Sequence, residues 1–225
     1  MAIKLGQPPL QIDAQLLERV RNVEVPTFGH FLESGFFDYR MRRIAGSGQF
    51  AGRAVTVSAP PGDSTLVHYA CALLEEGDVL IISTAGDFKH AVMGGFAISA
   101  LQYARASAVV IDGVCTDIAA LQASGIAVYA LGTTALTTKM LGLDAGGVNV
   151  AVDCAGVRVI PGQLVAGDEN GIVCADPAEF AKWIDRAEQS DFDEPEQIRR
   201  VLEGEPLHHV SPSKKLLEHL GMDIE

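Results

Sequence analysis

Two aspartates and a pair of glycines carry the strongest chemical signals in this chain. Asp112 and Asp117 close the apolar run Ala108-Val-Val-Ile-Asp-Gly-Val-Cys-Thr-Asp117. A run of β-branched residues ending in Asp-Gly reads as a buried strand leaving its sheet, the place where α/β folds collect ligands. An aspartate there can do acid chemistry or hold a hard divalent cation, which takes carboxylate and water oxygens. Asp117 has a second reading: with Thr116 it precedes the apolar pattern Ile118-Ala-Ala-Leu121, where either residue would serve as a helix cap. Cys115 lies between the aspartates and reads as a small buried hydrophobe, because nothing local supplies a base.

The second signal is Gly86-Asp87-Phe-Lys89-His90-Ala-Val-Met-Gly94-Gly95-Phe96-Ala97, which follows a strand and opens a helix. Free N–H groups at a helix N-terminus bind carboxylate or phosphate, and paired glycines let a ligand approach the backbone. A tight turn with close helix packing would give the same pattern. Asp87, Lys89 and His68 are candidates for polar or acid–base roles. The spacing fits neither a dinucleotide fingerprint nor a phosphate-binding loop. No Gly-x-Ser-x-Gly elbow supports a serine hydrolase, and no His-x-x-x-His pair supports a zinc protease.

The elements that must position these residues follow from periodicity. A helix is expected over Asp13–Asn22, and a strand over Gly52–Pro60 that stops at Pro60-Pro61-Gly62-Asp63. Ser64 or Thr65 would then cap a helix carrying Leu66, Tyr69, Ala70, Leu73 and Leu74. The strand Val79–Ser83, a helix from Val92 to Ala106, the strand Val109–Asp112, a helix to Ala123 and the strand Ile126–Leu131 complete a βαβαβ rhythm. That rhythm implies parallel strands with covering helices. Antiparallel β structure follows: Val148–Asp153 with Val157–Ile160, then Leu164–Ala166 with Ile172–Ala175 around the turn Asp168-Glu-Asn170-Gly171. Asp176-Pro177-Ala178-Glu179 opens a helix expected to run to Gln189. An acidic tail and a last helix after Ser211-Pro212 close the chain.

Composition narrows the function classes. The chain has 225 residues and a formal net charge of −12. No Lys/Arg stripe supplies the electrostatic attraction that nucleic-acid binding needs. The nearest basic cluster, Arg40, Arg42 and Arg43, reads as a solvated helix face or subunit contact, or as an anion-binding edge. Four widely spread cysteines give neither a zinc knuckle nor a disulfide framework. No apolar run approaches the roughly 20 residues of a membrane span, and no signal-peptide pattern is visible, so a cytoplasmic protein is expected.

Taken together, the Gly94-led helix, Val109-Val-Ile-Asp-Gly113, Asp117 and Pro161-Gly-Gln-Leu-Val-Ala-Gly-Asp168-Glu-Asn-Gly-Ile-Val173 resemble the RraA-like family. That family includes 4-hydroxy-4-methyl-2-oxoglutarate / 4-carboxy-4-hydroxy-2-oxoadipate aldolases, regulators of ribonuclease activity, and members mislabelled as demethylmenaquinone methyltransferases. The resemblance implies an α/β fold with an RraA-like β/β/α swivelling-type core over residues 1–188. Residues 189–225 would form an acidic helical C-terminal extension. It also implies a homo-oligomer, trimer or hexamer, with the site at a subunit boundary and no nucleic-acid or membrane partner. Mg²⁺ or Mn²⁺ would be held by Asp117, and a small carboxylate substrate by Gly94, Gly95, Phe96, Ala97 and Thr116. Asp112 becomes a structural turn residue.

The implied activity is a divalent-metal-dependent lyase, of aldolase or decarboxylase type, on a small 2-oxo or hydroxy carboxylate. The alternative is a non-catalytic oligomeric regulator of a protein partner such as a ribonuclease. The chain departs from the family pattern in four places, one of them His30, where a Ser-Asp-Ala-Leu pattern is common. Thr116 stands where an arginine precedes the metal aspartate, Gly95 falls on a second acidic position, and Gln163 replaces an aspartate in Pro-Gly-Asp. Threonine cannot supply the charged fork of an arginine, which implies a shifted substrate or an altered reaction.

Overall fold

The apolar runs around residues 80 and 110 lie at the middle of the main sheet. Val79–Ile82 and Ala108–Ile111 are without solvent exposure, as strands covered on both faces must be. The computed structural model describes residues 2–222. In chain order the elements are β1 (Lys4–Leu5), α1 (Ala14–Arg21), α2 (Val25–Phe28), β2 (Arg42–Ala45), β3 (Phe50–Ser58) and α3 (Thr65–Cys71). Then come β4 (Val79–Ser83), α4 (Gly95–Ala104), β5 (Ala108–Cys115), α5 (Ile118–Ser124) and β6 (Ala127–Thr133). The antiparallel section holds β7 (Gly147–Val148), β8 (Val152–Cys154), β9 (Val157–Val159), β10 (Leu164–Gly167) and β11 (Ile172–Ala175). Three helices end the chain: α6 (Pro177–Leu202), α7 (Leu207–Val210) and α8 (Ser213–His219).

Strands β3, β4, β5 and β6 are parallel neighbours in that order, as the βαβαβ rhythm requires. The pairs Val55↔Leu80 and Leu80↔Val109 fix the register at the centre. Antiparallel strands extend both sides: β2 on β6, and the β10–β11 hairpin on β3. One face of the sheet is covered by α3, α4 and α5 through Val67, Ala70, Ile98, Leu101 and Leu121. On the other face, Val152, Cys154 and Val159 of the β8–β9 ribbon pack with Ile81, Val110 and Tyr129. The result is an α/β/β layering, which is the expected fold class.

Four local expectations are corrected. The helix read as starting at Val92 starts at Gly95, because Ala91 and Met93 instead make single bridges to Thr137 and Cys115. The strand read over Val148–Asp153 is split, since Asn149 adopts a left-handed conformation at φ +52°, outside the extended range of regular strand residues. The arginine cluster contributes to strand β2 rather than to a helix, with Arg43 bonded to the Tyr129 hydroxyl at 2.8 Å. Helix α6 continues past Gln189 to Leu202 and includes Pro195. Side-chain pairs bracket that proline, Gln189–Asp193 before it and Arg199–Glu196 after it.

The chain divides into two compact units, Met1–Ile184 and Asp185–Glu225. The first holds the sheet and its covering layers. The second is helical and carries local ion pairs, among them Arg199–Glu203 and Arg200–Glu205.

Candidate functional site

Strand β5 delivers Asp117 just past its carboxyl end, in a left-handed conformation (φ +56°, ψ +46°). That conformation costs an ordinary L-residue on the order of 1–2 kcal/mol, and aspartate is among the residues that bear it best. Its backbone begins α5, but its carboxylate does not cap that helix. Instead Asp117 Oδ2 accepts the Gly95 N–H at 2.8 Å, at the first turn of the neighbouring helix α4. Asp117 is therefore a cap, but of a different helix from the one that its sequence position suggests. The Thr116 hydroxyl stands 3.4 Å from Asp117 Oδ1.

The glycine pair is explained by this contact. A Cβ on Gly94 would lie 2.6 Å from Asp117 Oδ2 and 2.9 Å from Thr116 Cγ2. One on Gly95 would lie 3.0 Å from the Ala120 Cβ of α5. Glycine at both positions lets the start of α4 close onto the β5–α5 turn. Beyond Gly95, the N–H groups of Phe96 and Ala97 have no acceptor among the described residues, as first-turn amides do not.

Phe96 and Ala97 help to line a cavity of about 250 Å³, together with, among others, Ser64, His68, Gly94, Thr116, Asp117, Thr137, Thr138, Lys139 and Met140. His68 stands on α3, its ring centroid 5.9 Å from that of Phe96, and burial lowers its pKa below 6.5. At neutral pH it is an uncharged proton acceptor. The far wall is the connection 134–146 between β6 and β7. This wall is tied to Ala91 by Ala91 N–H to Leu136 O (2.8 Å) and Thr138 N–H to Ala91 O (3.0 Å).

Of the residues singled out from sequence, the cavity brings together His68, Gly94, Phe96, Ala97, Thr116 and Asp117, with Gly95 joined through its amide. Asp87 and Lys89 do not line it. The Asp87 carboxylate accepts N–H groups from Gly62 (2.8 Å), Lys89 (3.0 Å) and His90 (3.2 Å), and meets His90 Nδ1 at 2.9 Å. Burial raises its pKa, but the hydrogen bonds from Lys89, His90 and Gly62 outweigh that and lower it. A carboxylate so filled holds a turn. Asp112 is half-buried mid-strand on the opposite face, where burial raises its pKa. Sequence reading missed Ser64, Thr137, Thr138, Lys139 and Met140. The one available signal was the polar run Thr137-Thr138-Lys139 inside a long connection without periodicity.

A sequence profile of the RraA-like family, described as Aldolase/RraA, matches residues 14–174. The chain belongs to this family. A relative from Halalkalibacterium halodurans carries the provisional name 4-hydroxy-4-methyl-2-oxoglutarate aldolase. It is 29% identical over 153 residues, which is 68% of this chain and 72% of that protein. Among solved structures, the RNA-processing inhibitor RraA from Thermus thermophilis is 26% identical with a TM-score of 0.60, covering 66% of this chain and 88% of that one. A structure described as an S-adenosylmethionine:2-dimethylmenaquinone methyltransferase from Geobacillus kaustophilus is 28% identical with a TM-score of 0.62, covering 67% and 92%. The names carried by these relatives, aldolase, inhibitor and methyltransferase, do not agree on one activity. The reaction has to be argued from the site.

Proposed function

We propose that the cavity is the active site of a divalent-metal-dependent lyase, of aldolase or decarboxylase type, acting on a small 2-oxo or hydroxy carboxylate. The observation that carries this reading is the convergence of Asp117, the open Phe96 and Ala97 amides, His68 and Lys139 on one cavity. The donor set suits a hard ion. One carboxylate and several hydroxyls face the cavity, no cysteine does, and no group of three or more His, Cys, Asp or Glu residues converges among the described residues. Such a set fits Mg²⁺ or Mn²⁺, which keep several waters, and not a tetrahedral zinc site. Asp117 would hold the ion through its carboxylate. When bound, the ion supplies Lewis-acid stabilisation of the negative charge that develops on the 2-oxo oxygen as the C–C bond breaks.

The chain's own residues do the rest. The Phe96 and Ala97 N–H groups, at the positive end of α4, bind the substrate carboxylate and fix its orientation. Lys139 supplies a fixed positive charge in the cavity that carries Thr116 in place of the family arginine. A lysine is a point charge rather than a bidentate fork, so this cation selects charge more than plane. His68, uncharged, accepts a proton from a substrate hydroxyl or returns one to the carbanionic carbon. Asp87 and Lys89 serve the turn that borders the site.

The reading extends to a cytoplasmic homo-oligomer, trimer or hexamer, with the cavity at a subunit boundary. It is supported by the apolar rim, where Phe96 is 82% and Met140 55% exposed. Further along α4, the helix that carries Phe96, Tyr103 is 93% exposed. This apolar face favours the second reading, a regulator that docks a protein partner. Assays of oxaloacetate and 4-hydroxy-2-oxo acids with Mg²⁺ or Mn²⁺ separate the two. Metal-dependent turnover lost in Asp117→Asn supports the lyase. No turnover and no metal-dependent stabilisation favours the regulator.

A further inference from the structure

The Asp63 carboxylate is 1% exposed, yet no cation faces it in an ion pair among the described residues. Its charge is met by donors from two separate parts of the chain. From the start of α3 come the Thr65 N–H (2.9 Å) and the Thr65 hydroxyl (2.5 Å). From the connection 134–146 come the N–H groups of Leu141 (3.1 Å) and Leu143 (2.9 Å). Burial raises the Asp63 pKa, but the hydrogen bonds from Thr65, Leu143 and Leu141 outweigh it and bring the value from 3.8 to about 2.

The residues on either side of Asp63 grip the same connection. Lys139 N–H donates to Gly62 O at 2.9 Å, and Ser64 N–H donates to Lys139 O at 3.0 Å. The Thr65 hydroxyl accepts the Gly142 N–H at 3.1 Å. Lys139 and Met140 are thus bracketed: backbone bonds at 62 and 64 hold one side, and the Asp63 carboxylate holds the other. Lys139 is the only lysine or arginine among the residues lining the cavity. A segment without helix or strand owes its shape to such bonds alone.

We propose that Asp63 is the positioning residue of the candidate site: its buried carboxylate clasps Leu141 and Leu143, just beyond Lys139, and with the backbone bonds of Gly62 and Ser64 sets the place of Lys139 in the cavity. The proposal rests on the lyase reading for the identity of the ligand and not for the clasp itself. Asp63 touches no reacting atom. It acts on substrate through Lys139.

The test compares wild type, Asp63→Asn, Asp63→Ala, Lys139→Ala and the double variant Asp63→Ala/Lys139→Ala. Amide exchange at Leu141 and Leu143 is measured on the folded proteins, and pyruvate binding in the presence of Mg²⁺ by calorimetry. Asp63→Asn keeps the side-chain shape and one acceptor oxygen, and it is the variant to use if Asp63→Ala does not fold. Exchange at the two amides is expected to rise about 10- to 100-fold, the equivalent of one lost charged hydrogen bond. Pyruvate affinity is expected to fall by about the same factor in Asp63→Ala as in Lys139→Ala, and no further in the double variant. A purely structural role would make the double variant additive. Unchanged exchange at Leu141 and Leu143 overturns the clasp. Faster exchange with unchanged pyruvate affinity overturns the positioning role. If wild type binds no pyruvate, the lyase reading fails, and the exchange rates alone decide the clasp.

Discussion

Adding one methyl group at Gly94 should separate the site from the scaffold. Gly94 is in extended backbone (φ −150°, ψ −167°), which alanine adopts without strain, so the effect of Gly94→Ala is steric. The new Cβ would fall 2.6 Å from Asp117 Oδ2 and 2.9 Å from Thr116 Cγ2. The carboxylate oxygen is the end of a side chain and yields by rotation, which breaks the 2.8 Å bond from the Gly95 N–H. Asp117 is exposed, so water takes over both groups and the net loss is about 1 kcal/mol. In a protein of this size that lowers Tm by about 2–4 °C. Metal binding should suffer more, because removing a bond that orients a ligand costs roughly 10- to 100-fold in metal affinity. Mg²⁺ and Mn²⁺ titration calorimetry with a parallel thermal melt reads both numbers. Wild-type metal affinity in Gly94→Ala, or a fall in Tm of tens of degrees, would refute the reasoning. The first would show that the Asp117 carboxylate does not serve a metal, the second that the α4–α5 contact rather than the carboxylate absorbs the strain.

Other outcomes follow from the same geometry. Arg53 is 5% exposed and grips Asp78, itself 2% exposed, through bonds of 2.8 and 2.9 Å. Arg53→Ala leaves that carboxylate buried and unpaired, and chemical denaturation should show a loss of about 3–5 kcal/mol. Because the folded-state pKa of Asp63 is depressed, its stabilisation is present above the ordinary pKa of 3.8 and is lost as pH falls toward 2. Acid melts of Asp63→Asn should lack that part of the wild-type decline. His68 is also depressed, from 6.5, so its uncharged form favours the folded state and stability declines as pH drops below 6.5. Lyase activity should decline there too as His68 protonates, and His68→Gln should flatten that limb of the pH profile. Lys139→Met should raise KM for a 2-oxo acid about tenfold or more while leaving Tm near wild type, since its side chain is exposed.

The sequence made legible whatever is governed by nearest neighbours and periodicity. Val79–Ser83 is strand β4 to the residue, and the Asn170-Gly171 turn joins β10 to β11 as expected. That a helix opens at Gly94-Gly95 was readable, because a helix N-terminus is a local feature. What was not legible depends on contacts far along the chain. Asp63 meets Leu141 and Leu143 across 78 and 80 residues, and no local pattern announces it. Lys139 lies in a connection with neither helical nor strand periodicity, and its placement comes from those bonds together with its own backbone bonds to Gly62 and Ser64. Asp87 looked like chemistry because it stands beside Lys89 and His90. The same neighbours are what its carboxylate binds to form a turn. Asp117 was ambiguous between cap and anchor, and its left-handed backbone turns the carboxylate away from its own helix toward α4.

Asp117 is the centre of the candidate site, and one comparison of variants tests its role. Turnover of oxaloacetate and of 4-hydroxy-2-oxo acids is measured for wild type and Asp117→Asn, each with Mg²⁺, with Mn²⁺ and with a chelator. Asparagine keeps the left-handed backbone and an acceptor for the Gly95 N–H, so the fold should persist while the charge is removed. The predicted result is metal-dependent turnover in wild type, abolished by the chelator and reduced by several orders of magnitude in Asp117→Asn at unchanged Tm. Equal turnover in the two proteins, or turnover indifferent to the chelator, would contradict the assignment of this cavity as a metal-dependent lyase site.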